Sequence, residues 1–318
     1  MFIPTLKSKA EEDISILLQL DNHSFNYICD CGDASELTVK DCINTKAIFI
    51  SHTHIDHFIN FDFILRHQLG MGEKVTICGP KGITAQVQAK IRGYSWNLVE
   101  ADAIVYEVRE IVIGQQIQVS ELAPPLWEIR PKEVIESAII YKNDRFQVSF
   151  IALDHKLPSI AYLFKEKNTV KIDIEKSPWR GGKWVSLLKK AYEEGQAATK
   201  IEIEKEQYIA KDLFHLLSIK AGATLGVIMD HAANAENQAK IKNLFANCDQ
   251  VFIESFYKDA DKAFADLNFH SYSTASGALM KDCKVKEAIP VHFSRKYTAA
   301  EVAELIVEFE SAYQKREL

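Results

Sequence analysis

Short runs of apolar, β-branched and aromatic residues alternate along this chain with longer stretches whose apolar positions recur at helical spacing. The short runs predict strands at residues 15–20, 25–29, 47–51, 74–78, 146–153, 160–164, 222–229, 250–254 and 288–291. The longer stretches predict helices at residues 58–68, 83–92, 237–245, 259–267 and 274–281, and a C-terminal helix from about residue 298. Strands cluster in each half of the chain, with helices between and after them. The pattern therefore predicts an α/β fold in which two mixed sheets pack face to face, with helices outside.

Residues 166–221 do not follow this alternation of strand-like and helix-like runs. They open with polar, strand-like residues, continue through Ser177-Pro-Trp-Arg-Gly-Gly182, and end in a charged tract that we interpret as helical. No linker rich in Pro, Gly or Ser divides the chain. We therefore predict a single domain over residues 1–318, with an inserted arm at about residues 166–221.

The net charge of −6 argues against nonspecific nucleic-acid binding through a general positive field. A local exception is the stretch 165–190, where eight Lys or Arg face three acids. Two interpretations stay open for it: a solvated surface arm, or a contact with a phosphate backbone. No apolar run reaches the roughly 20 residues that span a bilayer, and the N-terminus lacks a secretory signal, so we expect a cytoplasmic protein without membrane contact.

The most informative segment is a histidine cluster at residues 47–58. A β-branched and aromatic run ends there in a turn that carries His52, His54, Asp56 and His57. Imidazole suits Zn²⁺ and similar metals, and a carboxylate extends the range to Mn²⁺ or Fe. An exposed polar turn is the alternative, but ten histidines in 318 residues rarely place three within six positions by chance. Since alternate residues of an extended segment point the same way, His52 and His54 can share one metal, while the other two turn toward a second.

Four ligands are too few for two closed sites, so we expect the others at further strand ends. His155 follows the predicted strand 146–153, Asp230 follows strand 222–229 and His292 follows strand 288–291. Loops at the carboxyl ends of strands carry much of the chemistry of α/β proteins. Taken singly, each residue fits a turn or a helix cap equally well; together they complete a ligand set.

The pattern His52-x-His54-x-Asp56-His57 after an apolar strand resembles the signature of the metallo-β-lactamase superfamily. Further segments resemble the ribonuclease Z branch, whose members process the 3′ end of tRNA: Cys29-Asp-Cys-Gly32-Asp, Cys78-Gly-Pro-Lys-Gly82, the stretch from Asp154-His155 to Tyr162, Phe269-His270-Ser-Tyr-Ser-Thr274-Ala and Val291-His292-Phe-Ser-Arg-Lys-Tyr297. These matches extend from about residue 28 to residue 297. The resemblance implies the αββα sandwich of that superfamily and two divalent metal ions, most simply zinc, with Mn or Fe as alternatives.

The resemblance also implies individual roles. The first metal would be held by His52, His54 and His155, the second by Asp56, His57 and His292, with Asp230 bridging them. Asp56 would also take a proton from the attacking water, and Glu254 and His270 would act beside the scissile phosphate. We expect substrate contacts from Arg180, Lys183, Ser294 and Arg295. The chain departs from the branch in lacking its N-terminal Gly-Thr-Gly loop, in having His231 where Thr usually follows the bridging Asp, in having Ala161 for Gly, and in an arm tip that only approximates the Gly-Pro-rich one.

Three classes of function follow from the sequence. The first is a two-metal phosphodiesterase that cleaves RNA 3′ ends as an endonuclease. The second is a small-molecule metallohydrolase acting on a cyclic nucleotide, another phosphodiester, a thioester or a lactam. The third is a scaffold without activity, against which the complete ligand set argues. The partner is accordingly RNA, such as precursor tRNA, or a small phosphodiester; the sequence is compatible with a homodimer and does not decide the oligomeric state.

Overall fold

The computed structural model describes residues 1–70 and 72–314. The chain forms two compact units, one made of Met1–Lys165 together with the chain from Thr224 onward, and one made of Glu166–Ala223. In the described part of the chain, no helix combines the length and apolarity that crossing a bilayer would require.

The first sheet of the larger unit has eight strands in sequential order: β1 (Phe2–Leu6), β2 (Ile16–Leu20), β3 (Asn26–Cys29), β4 (Thr45–Phe49), β5 (Glu73–Gly79), β6 (Ile104–Ile113), β7 (Gln116–Leu122) and β8 (Arg130–Glu136). The strands β3 to β6 are parallel, and the pairs at both ends of the sheet are antiparallel. The sheet is therefore mixed, as the sequence pattern predicted.

The second sheet has six strands in the order β18 (Glu287–Val291), β17 (Gln250–Glu254), β16 (Thr224–Ile228), β11 (Pro158–Glu166), β10 (Phe146–Asp154) and β9 (Ile139–Lys142). It is also mixed, because β16 pairs in parallel with β17 and antiparallel with β11. The parallel strands β16, β17 and β18 all end at the same edge of this sheet. That edge carries most of the chemistry described below.

Aromatic side chains join the two sheets face to face. Phe49 of β4 contacts both Tyr162 and Phe164 of β11, with ring centroids 5.4 and 4.9 Å apart. Tyr27 of β3 contacts Phe146 of β10 at 4.8 Å. All five rings are buried, so this layer excludes water from the middle of the sandwich.

Helices cover the outer faces of both sheets. They are α1 (Val39–Ile43), α2 (Ile55–Phe58), α3 (Phe61–Gln68) and α4 (Ile83–Arg92) before the second sheet, and α7 (Ala235–Phe245), α8 (Lys262–Asn268), α9 (Ser273–Asp282) and α10 (Ala299–Gln314) within and after it; α5 (Lys183–Glu193) and α6 (Ala210–Leu213) lie in the smaller unit. One buried cluster joins the first sheet to α3 and α4 through Phe61, Ile64 and Val87. A second joins the other sheet to α7, α9 and α10 through Phe245, Met280 and Phe309. The layers are thus helix, sheet, sheet, helix, which confirms the predicted sandwich.

Two local predictions are wrong. The helix predicted at 58–68 is divided into α2 and α3, because the chain turns at Asn60 after the short helix that carries Asp56 and His57. The strand β1 was not predicted, since Pro4 and the mixed polarity of this segment hide it, and no bounds were predicted for β6 to β9. A proline is tolerated there because β1 is the edge strand of its sheet.

The smaller unit, Glu166–Ala223, has its own core. It contains an antiparallel pair of strands distant in the chain, β12 (Thr169–Ile172) and β15 (Leu217–Lys220). Between them lie the helices α5 and α6 and the hairpin of β13 (Lys200–Ile203) and β14 (Glu206–Ile209). Trp184, Leu188, Ile201 and Leu213 are buried together inside it. Part of the tract interpreted as helical is therefore a hairpin, because its apolar residues alternate with acids at the period of a strand.

Candidate metal centre

Four strand ends converge to build the site. His52 follows β4, His155 follows β10, Asp230 follows β16 and His292 follows β18. The turn after β4 continues into α2, where His54 is the residue before the first helical turn. Each predicted ligand thus follows the carboxyl end of a strand, either in the loop that leaves it or, for Asp56 and His57, in the short helix α2. All seven predicted ligands belong to the two groups described next.

One group consists of His52, His54, His155 and Asp230, whose ligand atoms all lie within 4.8 Å of one another. His52 Nε2 is 3.6 Å and His155 Nε2 is 3.4 Å from Asp230 Oδ2. His54 contacts both other histidine rings, with centroids 4.4 and 5.1 Å apart. The group therefore offers three imidazoles and one carboxylate oxygen to a single point.

A second group consists of Asp56, His57 and His292. Here His57 Nε2 lies 3.2 Å and His292 Nδ1 lies 3.0 Å from the other oxygen of Asp230, Oδ1. Asp56 Oδ2 closes the group at 3.8 Å from His57 Nε2 and 3.4 Å from His292 Nε2. Asp230 thus directs one oxygen at each group, which is the geometry of a bridging ligand.

The distances and the hydrogen bonds of these atoms fit divalent metals. Zinc–ligand bonds of about 2.0–2.1 Å at tetrahedral angles place ligand atoms roughly 3.3 Å apart, close to the separations just given. His52 Nε2, His57 Nε2, Asp230 Oδ1 and His292 Nδ1 are buried and make no hydrogen bond with any described residue. Buried polar atoms are ordinarily satisfied, so four that converge without a hydrogen bond fit a site that binds cations.

Partners behind the ligands fix which ring nitrogen faces the centre. His57 Nδ1 donates to Asp30 Oδ2 at 2.8 Å, and His155 Nδ1 donates to the carbonyl of Phe269 at 2.6 Å. Asp30 also accepts from the backbone and hydroxyl of Ser51, each at 2.7 Å. This leaves Nε2 of both histidines free to bind metal, the arrangement usual for metal-ligating histidines.

The backbone around the site is held in unusual conformations. Asp30 and His292 have φ values of 56° and 57°, in the left-handed region that side chains other than glycine rarely adopt. Each such residue stores of the order of 1–3 kcal/mol and persists only when its surroundings enforce it. The chain is closely packed two residues after Asp30, where a Cβ at Gly32 would lie 2.4 Å from the carbonyl oxygen of Asp56.

The buried carboxylate of Glu254 pairs with the half-buried ring of His270 beside Asp230. His270 Nδ1 donates to Glu254 Oε1, and it lies 3.8 Å from Asp230 Oδ2. Burial by itself lowers the pKa of His270, but the carboxylate of Glu254 more than offsets this, so the pKa is raised above its ordinary value. Burial likewise favours neutral Glu254, yet the charge of His270 and the contact with His231 hold its pKa low. The arrangement favours the charged form of the imidazole next to the two ligand groups.

Phe256 was not singled out by the sequence. Its ring stacks on His270 with centroids 4.0 Å and planes 9° apart. It is half-buried and also lies 5.1 Å from the His292 ring. An aromatic face favours an adjacent cation, so Phe256 supports the charged form of His270 and limits the motion of its ring. The position two residues after a strand-end acid gives no sequence signal for this role.

The four candidate substrate residues lie in two places. Arg180 and Lys183 are exposed in the smaller unit, at the start of α5. Ser294 is buried, and its backbone donates to the carbonyl of Phe256 at 3.0 Å. Arg295 is exposed and forms an ion pair with the buried carboxylate of Asp13. Their contact with substrate stays a prediction.

The layers and the strand-end cluster define the class of protein: this chain has the metallo-β-lactamase fold. Solved structures share it at low sequence identity. The short form of human tRNase Z has a TM-score of 0.56 at 14% identity over 92% of this chain and 90% of that one. The metallo-β-lactamase fold protein YhfI from Bacillus subtilis has a TM-score of 0.58 at 12% identity over 98% and 92%. No family model matches the sequence.

Among curated proteins, the chain is similar to ribonuclease Z. The ribonuclease Z of Deinococcus radiodurans is 24% identical over 88% of this chain and 85% of the relative. That of Methanocaldococcus jannaschii is 27% identical over 92% and 84%. The sequence resemblance to the ribonuclease Z branch is thus confirmed over about nine tenths of the chain.

Proposed function

We propose that the protein is a metal-dependent phosphodiesterase of the ribonuclease Z type, an endonuclease that processes the 3′ end of precursor tRNA. The observation that carries this function is the Glu254–His270 pair set directly beside two groups of metal ligands that share Asp230. Ligand groups alone serve many hydrolases of this fold. A charged imidazole held against them suits a reaction in which a phosphate oxygen must leave with a proton.

Two bound divalent ions would polarise the phosphate and lower the pKa of an attacking water. The side chains supply the rest of the chemistry. Asp56 is half-exposed, and its neighbours His57 and His292 outweigh burial, so its pKa is low and the carboxylate stays ionised. Its place in the second ligand group makes it the acceptor that we propose for the proton of that water. His270, whose charged form Glu254 favours, is placed to donate to the leaving oxygen or to bind a phosphoryl oxygen. We propose zinc as the metal because five of the seven ligands are imidazoles.

Metal content gives the most direct test of the centre. We expect the purified protein to hold about two zinc ions per chain, because the two groups share one carboxylate and each offers at least three ligands. Elemental analysis measures this number, and zinc added to the chelated protein should raise its melting temperature, since an ion that binds only the folded state stabilises it. Absence of any metal after incubation with Zn²⁺ and with Mn²⁺ would exclude the proposed function.

We further propose that the smaller unit docks the RNA. Its 58 residues carry 11 Lys or Arg and 9 acids, a net charge of +2, whereas the rest of the chain carries 27 and 35, a net charge of −8. Lys183 and Lys190 on α5 and Arg180 before it are exposed. A positive unit on an otherwise negative protein suits a polyanionic substrate.

Neutralising Arg180, Lys183, Lys189 and Lys190 together should weaken cleavage of precursor tRNA strongly and leave hydrolysis of bis-p-nitrophenyl phosphate unchanged. Each lost phosphate contact should reduce the salt dependence of RNA binding by about 0.7–0.9 log units per decade of salt. Filter binding over a salt series and parallel kinetics on both substrates measure these effects.

A matched control neutralises four exposed cations of the larger unit: Lys40, Lys142, Arg145 and Lys284. This control should leave the salt dependence unchanged. Equal RNA affinity in the two quadruple variants would show that the smaller unit does not dock RNA. A small phosphodiester would then replace RNA as the proposed substrate.

A homodimer and a cytoplasmic site of action are two further parts of the proposal. No contact described above supports the homodimer, and size-exclusion chromatography with light scattering measures the oligomeric state directly. The cytoplasmic site of action is expected because the protein must be in the same compartment as its proposed substrate, precursor tRNA. Cell fractionation followed by detection with an antibody to the chain tests it.

A further inference from the structure

His231 is a buried histidine that the proposed chemistry leaves unused. It follows Asp230 in the chain and is only 1% exposed. Its Nδ1 lies 2.8 Å from the carbonyl oxygen of Met229 and 3.2 Å from Glu254 Oε2. Its Nε2 is buried and makes no hydrogen bond with the described residues.

These contacts fix the position of a proton. A carbonyl oxygen only accepts hydrogen bonds, so the short contact with Met229 requires that Nδ1 of His231 carry the hydrogen. The same N–H lies 3.2 Å from Glu254 Oε2 while it donates to Met229, so its positive end attracts the carboxylate from the side of the His231 ring. The ring therefore does not compete for the proton on His270.

The two oxygens of Glu254 have different partners. Oε2 accepts from the backbone N–H of His231 at 3.0 Å and of Ser271 at 3.2 Å, and the ring N–H of His231 lies 3.2 Å from the same oxygen. Oε1 accepts from His270 Nδ1. The carboxylate itself is fully buried, so water does not take the place of any of these donors.

We propose that His231 is a positioning residue, which holds Oε2 of Glu254 so that Oε1 stays directed at His270. The proposal rests on the proposed function, which gives His270 its task. Its physical basis is the last side-chain torsion of glutamate, whose energy profile is broad and roughly two-fold. Backbone donors at one oxygen leave that torsion free to tilt, and a ring donor from another direction restrains it.

Kinetics of the zinc-loaded protein on bis-p-nitrophenyl phosphate give the first test. His231→Leu removes the donor and should lower kcat by about 10- to 100-fold, the range typical of residues that orient the ligands of a metal site, with KM and bound zinc unchanged. His231→Asn places an amide nitrogen where Nδ1 stood, so it should retain most of the activity and folds even if the leucine variant does not. The control His23→Leu changes an exposed histidine and should have no effect. Equal losses in the Leu and Asn variants, or loss of zinc, would overturn the proposal.

A double-mutant cycle separates positioning from a general structural role. In a Glu254→Gln background, His231→Leu should lower kcat by less than about twofold, because the residue acts only through that carboxylate. If His231→Leu instead caused an unrelated structural defect, the fold losses in kcat of the two single substitutions would multiply in the double variant. A multiplied loss would therefore show that His231 does not act through Glu254.

A measurement without catalysis distinguishes failure of this inference from failure of the proposed function. In the zinc-loaded, ¹⁵N-histidine-labelled protein, the Nδ1 proton of His270 should give a downfield signal because it is bound to a buried carboxylate. His231→Leu should shift or broaden that signal, and His23→Leu should leave it in place. An unchanged signal in the leucine variant would contradict the positioning role, and a changed signal would support it. Both conclusions hold even if the protein cleaves no phosphodiester.

Discussion

Asp230→Asn should remove metal from both ligand groups at once and lower phosphodiesterase activity by at least about 1,000-fold. The carboxylate faces His52 and His155 with Oδ2 and His57 and His292 with Oδ1, so losing its charge weakens both groups. Loss of charge stabilisation worth several kcal/mol converts to this factor at about 1.4 kcal/mol per tenfold. Elemental analysis and kinetics on a small diester measure the two effects.

The matched control is Asp154→Asn, which changes a half-buried aspartate next to His155. Its carboxylate caps the backbone N–H of Lys156 at 3.1 Å and faces no ligand group in the described structure. This variant should keep both metals and most of the activity. If Asp230→Asn retained one full equivalent of zinc, the carboxylate would serve one group only and the bridging assignment would be wrong.

His270→Ala should keep both metals and reduce kcat by about 10²–10⁴-fold, the usual contribution of a positioned acid or base. The side chain contacts Glu254 and approaches Asp230, but it belongs to neither ligand group. Its loss removes a proton donor and leaves the zinc ions in place. Kinetics on precursor tRNA and on the small diester, with zinc content measured on the same samples, provide the readout.

His67→Ala is the control for this change, since His67 is a half-buried histidine on α3 that contacts Phe63. It should leave both activities unchanged. Loss of zinc in His270→Ala would mean that His270 is a ligand, and full activity would mean that the leaving oxygen receives its proton elsewhere.

The sequence by itself determined the parts of this protein that are local in the chain. His52, His54, Asp56 and His57 lie within six positions, so their spacing alone indicated a metal site. His155, Asp230 and His292 could be found because each ends an apolar run, and strand ends meet at one edge of a sheet. The order of strands and helices predicted the sandwich, because apolar periodicity reports which residues each element buries.

Other features were decided by the tertiary structure alone. Asp30 orients His57 from 27 positions away, and Phe256 stacks on a histidine 14 positions later. Each oxygen of Asp230 faces a different ligand group, and each oxygen of Glu254 has different hydrogen-bond donors. These contacts depend on side-chain torsions and on residues that the fold brings together from four strands. Periodicity along a chain records which face of an element is buried, but it carries no record of what that face meets. For that reason the sequence identified the candidate ligands, and only the fold showed which groups hold their side chains in place.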